Sequence, residues 1–138
     1  MGFFDFLMRT IAGRAEARAD LVNVGAHGTL RDLPDLLPLL PPRDSFGEAA
    51  GEAALRILAR ASRAELAAYA AHAPRWNVSA HDVEHSLDPG TIALAALHGD
   101  EAVVAIARTQ LQRTDGELAR TLLELTAAPP VGDHSPTQ

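Results

Sequence analysis

The chain has 138 residues, the length of one ordinary domain, and its formal net charge is −6. Ala and Leu supply 46 residues, Val and Ile only 11, and aromatic residues 4%. Helices favour Ala and Leu, whereas strands favour β-branched and aromatic side chains, so this composition predicts an all-α fold and excludes a β-sandwich or barrel. The absence of cysteine excludes a disulfide scaffold and a thiolate metal site, and the acidic charge argues against a nucleic-acid binder.

The sequence also bears on the cellular location of the protein. No apolar run approaches the length that spans a bilayer, and the apolar start Met1–Met8 has no basic region ahead of it, as a secretory signal would. We therefore expect a cytoplasmic protein. All 12 basic residues are Arg, which indicates a bacterial genome of high GC content.

Apolar spacing and turn residues predict a series of helices along the chain. Proline-rich or Gly/Asp-containing turns separate them, and Pro38 is expected to bend the second helix. Short turns between short helices are typical of antiparallel helical hairpins. The predicted helices are Phe3–Val24, Thr29–Leu40, Phe46–Ala61, Arg63–His72, Ser79–Leu87, Thr91–His98, Asp100–Gln112 and Asp115–Ala127.

The helix Phe46–Ala61 has the clearest amphipathic pattern. Its apolar residues recur at helical spacing, and Ile57 and Leu58 lie at the centre of the apolar face. The opposite face carries acids first and bases last, and Glu52 and Arg56 have the favoured orientation of an i,i+4 ion pair. Ser45 is expected to cap this helix, because Glu48 follows it at the spacing of a capping box.

The domain boundaries follow from the prolines. Residues 129–138 contain three prolines and no apolar period, which predicts a disordered C-terminal tail. Residues 1–128 are then expected to form a single helical domain.

Two parts of the sequence echo each other. Residues 52–59 match residues 101–108, with identity at Glu52, Ala53 and Ile57. Moreover, GTLRDLPDLLPLL (residues 28–40), a Pro/Asp break and EAAGEAALRILAR (residues 48–60) resemble one HEAT-like repeat. In that family, a first helix with an internal proline is followed by an acidic turn and a second helix with an Ala-Ala-x-Ala-Leu type of core.

A second unit of this kind is indicated further along the chain. LHGDEAVVAIAR (residues 97–108) followed by TDGELARTLLEL (residues 114–125) looks like a second helix that leads into the next first helix. Residues 20–127 can be covered by such units, and residues 63–88 fit least well. The resemblance implies a short stack of antiparallel hairpins, an α-solenoid, that binds another protein. An irregular helical bundle is the alternative.

The sharpest local motif is H-x-x-E-H, formed by His81, Glu84 and His85. Two histidines one helical turn apart can point at one zinc ion while a carboxylate acts on bound water, as in zinc peptidases. However, the helix is short and no third ligand is identifiable. With Ser79 as N-cap, the acids of this segment are equally explained as favourable charges in a first turn, on a solvated helix face.

The remaining histidines give no catalytic pattern. His27, His72 and His98 lie beside turns and His134 lies in the tail, and a histidine near a helix end is favourable because of the helix dipole. No nucleophile elbow, phosphate-binding loop or dinucleotide-binding motif is present.

The N-terminus contains an aromatic cluster. Phe3, Phe4 and Phe6 are three of the four phenylalanines in the chain. We expect Phe3 and Phe4, together with Leu7 and Ile11, to cap the open apolar end of the helical stack. The alternatives are burial against another subunit, or a membrane anchor in which the nearby arginines meet anionic headgroups.

The sequence therefore predicts a protein-binding adaptor without catalytic, cofactor-binding or metal-binding residues. Its expected partner is another protein, which the sequence does not identify, and its oligomeric state stays open. An inhibitor or immunity-type protein that occludes a basic partner is one alternative, since the negative charge would steer such an encounter. A metal-dependent hydrolase built around His81 and His85 is the other.

Overall fold

The structure is a computed structural model that describes the backbone of residues 14–127 and the side chains of residues 19–127. Within this part of the chain the secondary structure consists of eight α-helices and two 3-10 segments, without strands. The prediction of an all-α fold is confirmed. The N-terminal aromatic cluster, the start of the first predicted helix and the predicted tail lie outside the described residues.

The helices follow one another with short connections. The 3-10 segments are Leu30–Asp32 and Leu37–Leu39, on either side of the short helix α2. In chain order the α-helices are α1 (Arg14–His27), α2 (Leu33–Leu36), α3 (Ser45–Arg60), α4 (Arg63–His72), α5 (Ala80–Glu84), α6 (Pro89–His98), α7 (Glu101–Gln112) and α8 (Glu117–Leu125).

Helix α3 is the longest of these and behaves as its periodicity predicts. Ile57 and Leu58 are buried on its inner face. On its outer face the Arg56 guanidinium donates to the Glu52 carboxylate at 2.9 Å. The predicted cap is wrong by one residue, because the Asp44 carboxylate accepts a hydrogen bond from the Gly47 backbone N–H at 2.9 Å. Ser45 is instead the first helical residue.

The predicted helix Thr29–Leu40 is broken into three pieces. A proline lies at the start of α2 and another at the start of the second 3-10 segment, and neither can donate a backbone hydrogen bond. The leucines of this segment still form one apolar face, since Leu33, Leu36 and Leu40 are buried. The prolines therefore change the type of helix without changing which face is apolar.

Two helices further along also differ from their predicted bounds. Helix α5 keeps Ser79 as its N-cap but ends at Glu84, three residues short of the predicted end. Helix α6 begins two residues early, because Asp88 caps it and Pro89 occupies its first turn, where a missing N–H costs nothing. The turn residues that were expected to end one helix thus begin the next.

Helix α6 lies at the centre of the fold. Every residue from Gly90 to His98 is buried, and helices α3, α5, α7 and α8 pack against it. A helix that is apolar on all sides must be surrounded in this way. The closest approach is to α3, where Gly90 meets the backbone of Gly51 with no room for a side chain.

The first helices pack with a defined direction. Gly25 of α1 contacts Ala53 of α3, and the Gly28 carbonyl, one turn later, accepts from Arg60 at 2.7 Å, so α1 and α3 run in parallel. Arg60 also donates to the Gly25 carbonyl. Arg60 is exposed, on the face opposite the apolar one, and binds the carbonyls that end α1, where the helix dipole favours a cation.

Candidate binding groove

An open apolar groove of about 340 Å³ lies between α3, α6, α7, α8 and the loop that precedes α6. Its floor is made of side chains that belong to the central core, and its wall comes from the first turns of α8. The apolar residues that line it include Leu55, Leu87, Ile92, Leu111, Leu118 and Leu122.

Leu87 stands at the edge of this groove with 97% of its surface exposed. It follows the end of α5, in the turn between Ser86 and Asp88. A buried leucine contributes roughly 1.5–3 kcal/mol relative to an exposed one. Contact between Leu87 and apolar side chains of a partner would therefore be favourable.

Polar contacts fix the helices that border the groove. The Gln110 side-chain amide donates to the Glu84 carbonyl at 3.0 Å, which fixes the end of α5 against α7. On the far side, Arg108 donates to the Leu123 carbonyl and to the Thr126 hydroxyl, which fixes α8 against α7. The two walls are thus positioned independently of any occupant.

The lining of the groove is mostly apolar. Among the described residues that line it, Asp115 is the only ionisable one. The groove instead offers leucine and isoleucine surface, the lining used by grooves that receive an apolar peptide face.

His81 and His85 do come together, as their spacing predicts. Their ring centroids are 4.3 Å apart, and both side chains are exposed. The His85 Nδ1 donates to the His81 carbonyl at 2.9 Å, so only its Nε2 is available to a ligand. Among the side chains of residues 19–127, no group of three or more His, Asp or Glu is placed to hold a metal ion. The pair therefore gains no third ligand from the fold.

A larger and more open depression of about 1050 Å³ lies between residues 28–31 and α4. Three of the polar side chains that line it, those of Arg60, Glu65 and Tyr69, have partners within the fold. Arg60 binds the two carbonyls at the end of α1, and Tyr69 bonds to His98. The Glu65 carboxylate accepts from the Ser62 N–H at 2.8 Å in a capping box. These groups are committed to the fold, so this depression is a weaker candidate site.

Sequence reasoning missed both the groove and the role of His98. His98 was grouped with histidines that favour helix ends, but its side chain is buried and hydrogen-bonded through both ring nitrogens. The only signal of the groove was Leu87 itself, an apolar residue in a turn of Ser, Asp and Pro. The other lining residues come from separate parts of the chain, and no local pattern joins them.

Comparisons of the chain with family profiles, with curated proteins and with solved structures find no match. Within the described residues, no helix is long and apolar enough to cross a membrane.

Proposed function

We propose that this protein is a non-catalytic binding module, a HEAT-like stack of helical hairpins, whose groove receives an apolar segment of another protein. The observation that carries this proposal is Leu87, a fully exposed leucine beside an open, leucine-lined groove. Apolar side chains of a partner that fill the groove and cover Leu87 would remove this surface from water, which favours binding.

The packing of the first half supports the hairpin part of the proposal. The segment between α1 and α3 starts where Gly28 meets Arg60, at the end of α3. It finishes where Leu39 and Pro42 lie against Gly47, at the start of α3. The segment therefore runs antiparallel to α3, while α1 runs parallel to α3, as successive second helices do in a stack of hairpins.

The second half favours the alternative, an irregular bundle. Helix α4 packs mainly against α8, a distant element in the sequence, and Arg63 forms an ion pair with Glu124. In an open solenoid each repeat contacts only adjacent repeats. The groove is the same in both descriptions, so the binding proposal does not depend on which name the architecture receives.

Two substitutions test the groove against a matched control. Leu87→Glu places a charge at its edge, and Val22→Glu places the same charge at the other large exposed apolar side chain, on α1. Both positions are exposed, so we expect both variants to keep the wild-type melting temperature. Tagged wild type and Val22→Glu should capture the same partner from cells of the source organism, whereas Leu87→Glu should bind it at least about tenfold more weakly, a loss of about 1.4 kcal/mol.

The salt dependence of that complex separates the adaptor from an inhibitor of a basic partner. Apolar contacts in the groove should hold as salt is raised, whereas binding driven by the charge of −6 should weaken steeply. Capture that is equal for wild type and Leu87→Glu would contradict the proposed site. The geometry of His81 and His85 gives the hydrolase alternative no comparable support.

A further inference from the structure

His98 is the last residue of α6 and is 2% exposed. Its Nδ1 lies 2.8 Å from the Pro74 carbonyl oxygen, and its Nε2 lies 2.9 Å from the Tyr69 hydroxyl. The Tyr69 ring approaches it edge-on, with the centroids 5.4 Å apart. The imidazole is therefore enclosed by two polar partners and an aromatic ring.

These partners define the protonation state of the ring. A carbonyl oxygen can only accept a hydrogen bond, so the His98 Nδ1 carries the proton and donates to Pro74. In the neutral ring the Nε2 is then an acceptor, and the Tyr69 hydroxyl donates to it. Neutral His98 satisfies both contacts at once.

His98 holds a segment that has no helix of its own. Residues 73–79, here called the clasp, connect α4 to α5. The clasp is bonded to His98 at two points: Pro74 accepts from the ring, and the Trp76 N–H donates to the His98 carbonyl at 2.9 Å. Trp76 and Val78 are half-buried against the core. The clasp thus covers apolar surface, and His98 is its anchor.

The hydrogen-bond partners of His98, Tyr69 and Pro74, give an imidazolium no ion-pair partner. Helix α6 contains no other ionisable side chain, and the facing titratable group on α4 is Tyr69. Arg75 of the clasp and His72 of α4 are exposed, and the Asp100 carboxylate accepts a hydrogen bond from the Val103 N–H. Within the described residues, no carboxylate of α3, α5, α7 or α8 forms a hydrogen bond or ion pair with His98.

Protonation would change both the charge and the bonding. A proton on Nε2 turns that atom into a donor, so the Tyr69 hydroxyl can no longer donate to it. The resulting cation would be buried without an ion-pair partner, which is unfavourable. Accordingly, burial lowers the pKa of His98, and the hydrogen bond to the Pro74 carbonyl opposes this shift in part.

We propose that His98 makes the clasp acid-sensitive: it stays closed while His98 is neutral and opens on protonation, which exposes Trp76. Helix α6 itself is retained by Ile92, Leu94 and their neighbours, which pack on four helices. Since the folded protein prefers neutral His98, closure is complete above the ordinary histidine pKa of 6.5. It is lost as the pH falls below that value and through the lowered pKa.

Trp76 is the only tryptophan in the chain, so its fluorescence reports on the clasp alone. The full-length protein should be titrated from about pH 7.5 to about pH 4.5, the range in which histidines titrate, with acrylamide as the quencher. We expect quenching of Trp76 to rise in one step below pH 6.5, while far-ultraviolet circular dichroism keeps its helical signal. A Trp76 signal that stays constant until the helices unfold would overturn the proposal.

Two variants assign the step to His98. His98→Asn keeps an N–H that can donate to Pro74 but has no titrating group, so it should abolish the step. His72→Asn, which removes an exposed histidine at the end of α4, should leave the step unchanged. A step that persists in His98→Asn would also overturn the proposal.

If His98→Asn does not fold, the wild type still decides the question. The His98 ring can be titrated by NMR in the full-length protein, and its midpoint should coincide with that of Trp76 quenching. Different midpoints would mean that protonation of His98 and opening of the clasp are separate events, which would contradict the proposal.

Discussion

Single atoms decide the packing where α3 crosses α6. Gly90 has no side chain, and a methyl group added there would collide with the carbonyl oxygen of Gly51. A methyl group on Gly51 would in turn press against the Asp88 carboxylate. That carboxylate is needed where it is, because it accepts from both the N–H and the hydroxyl of the buried Thr91 at 2.8 Å. The close approach of α3 and α6 therefore depends on Gly51, Gly90 and the Asp88 cap together.

Gly90→Ala tests this crossing. Replacing glycine by alanine within a helix normally stabilises a protein by about 0.4–1 kcal/mol. Here we expect a loss of about 1–3 kcal/mol, because the two helix backbones must move apart. The measurement is the free energy of unfolding in urea. An unchanged or increased free energy of unfolding would contradict this prediction, because it would mean that the two helices accept the methyl group without moving apart.

At the scale of helices, the polar residue that begins each helix matters as much as its apolar face. Asp44, Ser62, Ser79, Asp88 and Asp100 each accept a hydrogen bond from a backbone N–H in the first turn of the helix that follows. Such bonds satisfy donors that have no partner within the helix. With helices of only 5 to 16 residues, these caps define where each one starts.

The cap of α3 gives a prediction with a built-in control. Asp44→Ala should lower the free energy of unfolding by about 0.5–2 kcal/mol, because the Gly47 N–H loses its acceptor. Ser45→Ala should have a much smaller effect, since Ser45 is exposed in the first turn. Asp44→Ser, which keeps an acceptor, should restore most of the loss. If Ser45→Ala were the more damaging change, Ser45 would be the cap after all.

How far the sequence predicts an element depends on whether its signal is local. The face of α3 could be read because Ile57 and Leu58 follow a clear period, but its cap was ambiguous because Asp44 and Ser45 are both good caps. Helix α6 has no polar face, so its central position could not be read from periodicity. The buried role of His98 depends on Tyr69 and Pro74, which are more than 20 residues away.

At the scale of the whole molecule, the central position of α6 joins the two halves of the chain. Helix α3 packs on one side of it and helices α7 and α8 on others. The contact between α4 and α8, with the ion pair of Arg63 and Glu124, closes the arrangement around it. Helices α3, α5, α7 and α8 therefore cannot leave their places without exposing the all-apolar surface of α6.

This arrangement predicts cooperative unfolding. At pH 7.5, where we expect the clasp to be closed, urea unfolding followed by Trp76 fluorescence should coincide with unfolding followed by far-ultraviolet circular dichroism. Fluorescence reports on residues 73–79, whereas circular dichroism reports on every helix, so coincidence means that the clasp and the core unfold together. A linear stack of weakly coupled hairpins could instead lose its units one after another, and the two curves would then separate. Below pH 6.5 the same pair of curves should diverge, with Trp76 reporting first, because opening of the clasp then precedes loss of the helices around α6.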